Sequence, residues 1–154
     1  MRRTRLAAAA CGLAVLLAAA VPSVASASPP PKAANPTATA RPLVHRFFVL
    51  LAHQNRAGLT RFLAPGFQIE RADGSGETKS TYLTDLPTIT TFAISGLTAT
   101  ESNGALVARY TSTVTGTANG KPYTPGPAPR LSVFTWNGHR WQLAAHANFN
   151  PLTG

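Results

Sequence analysis

Few side chains in this 154-residue chain carry usable chemistry, and they sit on alternating runs. Phe67-Gln-Ile-Glu-Arg71 alternates, so Arg71 shares a face with Phe67 and Ile69. Tyr110 shares one with Leu106, Ala108, Ser112 and Val114, and Ser132 shares one with Phe134. A guanidinium cannot act as a base near neutral pH, but its planar fork matches a carboxylate. The chemistry these residues suit is therefore capture of an amphipathic anion. Glu77 or Asp73 is expected to pair with Arg71. His45, His53, His139 and His146 are dispersed, without metal-ligand spacing. His45 and His53 would stand about 80° apart round a helix, too far for one site. The chain has no G-x-S-x-G, no Gly-rich phosphate loop and no nucleotide fingerprint, so no catalytic residue, metal or cofactor is expected.

The elements that must position these groups read as follows. Val44, Phe47, Phe48 and Leu51 form one helical stripe within Leu43 to Ala52. Asn55 is the expected N-cap of a second short helix that buries Leu59, Phe62 and Leu63 and ends at Pro65-Gly66. Phe67 to Arg71 reads as a short strand, and Thr78 to Thr84 as a short helix that packs Tyr82 and Leu83 inward. Thr88 to Thr100 reads as a strand bent near Gly96, and Ala105 to Thr117 as another after the Asn103-Gly104 turn. Gly116 to Pro129 is a Pro/Gly-rich loop.

The most distinctive stretch closes the chain. Two alternating runs from Arg130 to Phe149 flank Asn137-Gly138, a hairpin signal. A two-residue turn there pairs Trp136 with His139, Phe134 with Trp141 and Ser132 with Leu143. One face then carries Trp136, Phe134, Trp141, Leu143, Ala145, Ala147 and Phe149, and must lie against a core. Val133, Thr135, Arg140, Gln142, His146 and Asn148 fall on the other.

The ends and the composition add limits. Arg2, Arg3 and Arg5, the apolar run Leu6 to Val21 and Ala25-Ser26-Ala27 read as an export leader cleaved near Ala27, without a membrane span afterwards. The general secretory route is expected, with release outside the cell or association with its wall. Residues 28–42, rich in Pro, Ala and Thr, read as a flexible linker. Cys11, the only cysteine, falls in the leader, so the exported part would hold neither disulfide nor thiol. Of 14 Lys plus Arg, three lie in the leader; eleven remain against five acidic residues, a net of +6. These charges are scattered, which argues against specific nucleic-acid binding. About 110 residues suffice for one domain with an ordinary core.

Helices followed by antiparallel strands define an α+β domain. This order resembles the nuclear transport factor 2-like superfamily, which includes ketosteroid isomerases and SnoaL-like cyclases. The resemblance covers residues 43–152. It rests on the opening helix, the segment from Asn55 to Phe67, the turn Asp73-Gly74 with Lys79 and Tyr82-Leu83, and the closing Trp136-Asn-Gly-His-Arg-Trp. Small secreted bacterial members without an assigned function look most similar. The resemblance implies a cone-shaped curved antiparallel sheet of about four strands, covered by two or three N-terminal helices, around a pocket. Its wall would be Phe67, Ile69, Phe134, Trp141 and Leu143, and its polar points Arg71, Tyr110 and Ser132.

The isomerases' catalytic positions fall, on this resemblance, at Arg71, Ser132 and Phe47 or Phe48, none of which can do that work. Non-catalytic binding of a small apolar or weakly anionic ligand, or of a protein partner, is therefore expected. Two alternatives stand beside it. One is a SnoaL-like enzyme with a rearranged pair, such as Asp85 and a histidine. The other is a dimerisation module using the outer sheet residues Val107, Val133, Ala144 and His146.

Overall fold

The computed structural model describes residues 28–30, 32–151 and 153. The leader lies outside the described residues. The first helix, α1, spans Pro36–Ala52. Asn35 caps it, its Oδ1 accepting from Ala38 N at 3.0 Å. Pro36 occupies the first turn, where a missing N–H costs nothing. The helix thus takes in residues 36–42, read from the sequence as linker. Pro42 is tolerated inside it. The predicted stripe is buried, joined by Ala40 and Leu50.

Helix α2 spans Arg56–Phe62, and Asn55 caps it as expected, accepting from Gly58 N at 2.8 Å. Lys79 Nζ donates to the carbonyls of Thr60 and Leu63 at 2.8 Å, satisfying the end of this helix. Pro65-Gly66 does not follow a helix directly. Both residues lie within strand β1, Leu63–Arg71, where pairing is irregular between Leu63 and Gln68. Proline has no N–H to give the ladder, so the irregularity falls at that point. Strand β2 (Gly76–Thr78) and helix α3 (Lys79–Thr84) follow, with Tyr82 buried.

Strands β3 (Thr88–Ser102) and β4 (Ala105–Ala118) form the long hairpin. Asn103 and Gly104 both have positive φ, the two-residue turn that suits twisted strands. Asn119 and Gly120 repeat it into the short β5, Lys121–Pro122, inside the stretch read as loop. Gly96, with φ 61°, sits at a register shift between Ser95 and Thr98 and supplies the expected bend. Gly116 marks a second shift: a Cβ there would lie 1.9 Å from the Thr88 carbonyl oxygen.

Strands β6 (Pro127–Trp136) and β7 (Trp141–Asn148) complete one seven-stranded sheet in the order β2-β1-β7-β6-β4-β3, with β5 on β4. The sheet is larger than the expected four strands, and its β1–β7 pair is parallel. It is open and curved, with helices packed on its inner face: α1 on β3 and β4, α2 on β7, α3 on β1. Phe47, Phe62, Phe67, Phe134, Leu106 and Leu143 form the dry centre of the core.

The closing hairpin departs from the predicted register. Trp136 pairs with Trp141, and Phe134 with Leu143. The turn is four residues long because Asn137 Oδ1 accepts from the N–H groups of both His139 and Arg140, at 3.0 Å. A bulge follows at Ala144: Phe134 faces Leu143, but Val133 faces Ala145. One extra residue exchanges the two faces of the remaining strand. Ala145, Ala147 and Phe149 therefore do not join the core face, and Phe149 is half exposed. His146 and Asn148, expected outside, are buried instead. Phe134 and Trp141, which precede the bulge, are buried as predicted. Gln142 is buried too, its Nε2 donating to the Arg61 carbonyl at 3.0 Å.

Candidate functional site

Beneath α1 the inner face of the sheet encloses a small polar cavity of about 20 Å3. That is room for roughly one water molecule. Phe47, Phe48, Leu51, Ile69 and Ile89 supply its apolar wall, and Tyr82, Tyr123, Arg130, His146 and Asn148 its polar atoms. Alternation along β6 carries Arg130, Ser132 and Phe134 to this face. The bulge in β7 brings His146 and Asn148 to it.

Three side chains form a continuous buried hydrogen-bonded line. Tyr110 OH lies 3.1 Å from Ser132 Oγ, which lies 3.0 Å from His146 Nδ1. The His146 ring also meets Phe47 edge-on, with centroids 5.0 Å apart. Burial pushes the His146 pKa down to about 3, helped by the charges of Arg130 and Arg71. The imidazole is therefore neutral at physiological pH and a poor proton acceptor. Burial likewise raises the phenols of Tyr82, Tyr110 and Tyr123 above their ordinary value, so all three remain protonated donors.

Two guanidinium groups stand in this interior. Arg71 Nη1 lies 2.6 Å from Glu77 Oε1, the ion pair anticipated from the sequence. Its contact is a charge contact rather than an aligned hydrogen bond, and Arg71 Nε and Glu77 Oε2 have no hydrogen-bond partner. Asp73 is occupied elsewhere, its Oδ1 accepting from Ser75 N and Oγ in the β1–β2 turn. Those two bonds hold the Asp73 carboxyl below its ordinary range. Arg130 is 3 % exposed. Its Nη1 donates to the Pro129 carbonyl at 2.9 Å, and no carboxylate pairs with it among the described residues. Burial lowers its pKa, opposed by the neighbouring Tyr110 and Tyr123. The count is two buried cations, one carboxylate and a neutral imidazole.

The eight residues expected to line a pocket are all buried. They do not form one lining. Ile69 borders the enclosed cavity, and Tyr110 and Ser132 meet through their hydroxyls. Arg71 is engaged by Glu77. Phe67 packs on Tyr82, Phe134 sits edge-on to Phe62, and Leu143 fills the core. Trp141 pairs with Trp136 at a separate groove. Arg130 was legible as an inward residue from the same alternation that placed Ser132 and Phe134. His146 and Asn148 were not, because a bulge leaves no mark in composition. Among the described residues no three His, Cys, Asp or Glu side chains are grouped to hold a metal, and no helix is long and apolar enough to cross a membrane.

An NTF2-like protein from Cytophaga hutchinsonii superposes with a TM-score of 0.68 at 11% identity, covering 74% of this chain and 97% of the other. The chain has the nuclear transport factor 2-like fold. The same fold relates it to an NTF2-like protein of unknown function in nutrient uptake from Rhodospirillum rubrum (TM-score 0.60, 15% identity, 73% and 96% covered). A ketosteroid isomerase-like protein from Shewanella frigidimarina superposes at 0.52, with 16% identity and 68% and 89% covered. No family model and no curated protein matches the sequence. At these identities the nuclear transport factor 2-like fold is shared and the site residues are this chain's own.

The buried imidazole sets a pH dependence. Its folded pKa is depressed, so between about pH 6.5 and pH 3 the unfolded chain binds a proton that the folded chain refuses. Stability is expected to fall across that window by up to about 1.4 kcal/mol per pH unit. Asp73 adds its own loss only below the ordinary carboxylate range. Urea titrations between pH 7 and pH 4.5 should show this slope for the wild type and a flatter one for His146→Gln.

Proposed function

We propose that the cone is a non-catalytic binding site for a small, weakly anionic ligand with an apolar body, anchored by Arg130. The carrying observation is the charge imbalance, with Arg130 buried and unpaired among the described residues while Glu77 is taken by Arg71. A buried cation without a counter-charge is costly, and a ligand carboxylate would supply one. Tyr123 and the amide of Asn148 border the same cavity as Arg130 and can add polar contacts. Phe47, Phe48 and Leu51 would meet the ligand's apolar part.

The present cavity admits little more than a water, so a ligand must open it. Tyr123 borders the cavity and is held in place. It lies just after β5, on a segment tied down by Asn150 Nδ2 to the Thr124 carbonyl and by Thr124 N to the Pro151 carbonyl. Acid–base catalysis finds less support. His146 is too weak a base, Glu77 is held by Arg71, and Asp85 is exposed at the end of α3.

A self-association role is a second reading. Leu131 is 37% exposed on the outer sheet face, where it borders grooves with Val107 on one side and Val133, Ala145 and Ala147 on the other. His146, first expected on that face, does not present its ring there. Export past the membrane and cleavage near Ala27 belong to the same proposal and rest on the leader sequence.

Two measurements test these readings. Arg130→Met should preserve or raise the melting temperature of the free protein, because a buried unpaired charge is replaced by a side chain of similar length. It should also abolish the stabilisation that a series from acetate to benzoate gives the wild type. A melting shift of equal size in the variant would sink the proposal. For the outer face, sedimentation should show a dimer that Leu131→Glu separates; a wild-type monomer at all concentrations counts against it.

A further inference from the structure

A second concavity lies outside the cone, where α1, α2 and the closing hairpin meet. Its volume is about 350 Å3, within the range of small-molecule sites. Arg46, Arg61, His139 and Arg140 line it together with Trp136 and Trp141. None of the chain's five acidic residues borders it, and Arg46, Arg61 and Arg140 have no ion pair among the described residues. The basic residues that look scattered along the sequence converge here through the fold.

The groove is built rather than incidental. Gln142 joins its two sides: Nε2 donates to the Arg61 carbonyl, and Oε1 accepts from Asn137 Nδ2, both at 3.0 Å. Asn137 in turn fixes the backbone of His139 and Arg140. Arg46 is held over the Phe62 ring, its Cζ 5.6 Å from the centroid. Trp136 and Trp141 stand edge-to-face, centroids 5.7 Å apart, which leaves an indole surface beside the cations. Trp136 is only half-buried, while Arg46, Arg61, His139 and Arg140 are exposed.

We infer that this groove is a binding site for a small polyanion built on a flat ring, its acidic groups taken by Arg46, Arg61 and Arg140 and its ring laid against the tryptophans. Clustered guanidinium groups repel one another, so several negative charges at once offset more than one charge can. The aromatic wall distinguishes a ring-bearing anion from an aliphatic one of equal charge.

The test is tryptophan fluorescence of the full exported domain, titrated with trimesate, a benzene tricarboxylate, and with citrate as a ringless tricarboxylate. Trimesate should quench saturably, bind more tightly than citrate and weaken with ionic strength. Arg61→Gln and Arg140→Gln, both at exposed positions, should each weaken trimesate by about tenfold, the loss of one charge-assisted contact. Circular dichroism verifies that both variants fold. Equal affinity for citrate, an unchanged trimesate affinity in the two variants, or no saturable quenching would overturn the assignment. So would loss of trimesate binding in Arg130→Met alone, which would place the ligand in the cone.

Discussion

The extra residue at Ala144 is the constraint on which the interior depends. Before it, β7 sends Trp141 and Leu143 inward, where they pack with Phe134 and Phe62. After it, the same inner surface receives His146 and Asn148. A strand without the bulge would carry Ala145 and Ala147 to that surface, and the cavity beneath α1 would keep Tyr82, Tyr123 and Arg130 but lose the imidazole and the amide. One inserted residue therefore turns the β7 part of the wall from apolar to polar.

The polar wall has an electrostatic consequence. His146 lies under the influence of two guanidinium groups in a site shielded from water, and it stays neutral. Arg71 has found Glu77, but among the described residues Arg130 bonds only a backbone carbonyl. Natural cores rarely retain an unpaired buried cation unless something uses it. In the proposed site the burial of Arg130 would set the sign of a ligand, and the phenylalanines of α1 its apolar character. The Tyr110–Ser132–His146 line satisfies the hydroxyls of the wall and holds the imidazole in place. The inner cavity and the outer groove share one feature, a lining cation with no carboxylate partner among the described residues, but they draw on different residues.

Much of the architecture was legible in the residues. The stripe Val44, Phe47, Phe48 and Leu51, the Asn55 cap, the faces of β4 and the bend at Gly96 all follow from local rules that the fold obeys. The misreadings have local causes too. The composition of residues 28–42 reads as linker, yet Pro36 sits at a helix start, so α1 begins earlier than its apolar stripe. Asn137-Gly138 looked like a tight turn, yet the Asn137 side chain spends itself on two backbone N–H groups and widens the loop. Asn119-Gly120, passed over in a Pro/Gly-rich stretch, makes the tight turn instead. The Arg71–Glu77 pair follows from sequence proximity, while the burial of Arg130 without a carboxylate among the described residues is a tertiary property that alternation alone does not reveal.

The most direct measurement of this account is the titration of the His146 imidazole by NMR, with contacts read from its ring protons. A buried ring beside Arg130 should show cross-peaks to Phe47 and remain neutral well below its ordinary pKa, down toward about 3. A midpoint near the ordinary histidine value of about 6.5, with no contact to Phe47, would place the ring outside the sheet. It would remove the polar wall on which the proposed ligand site rests.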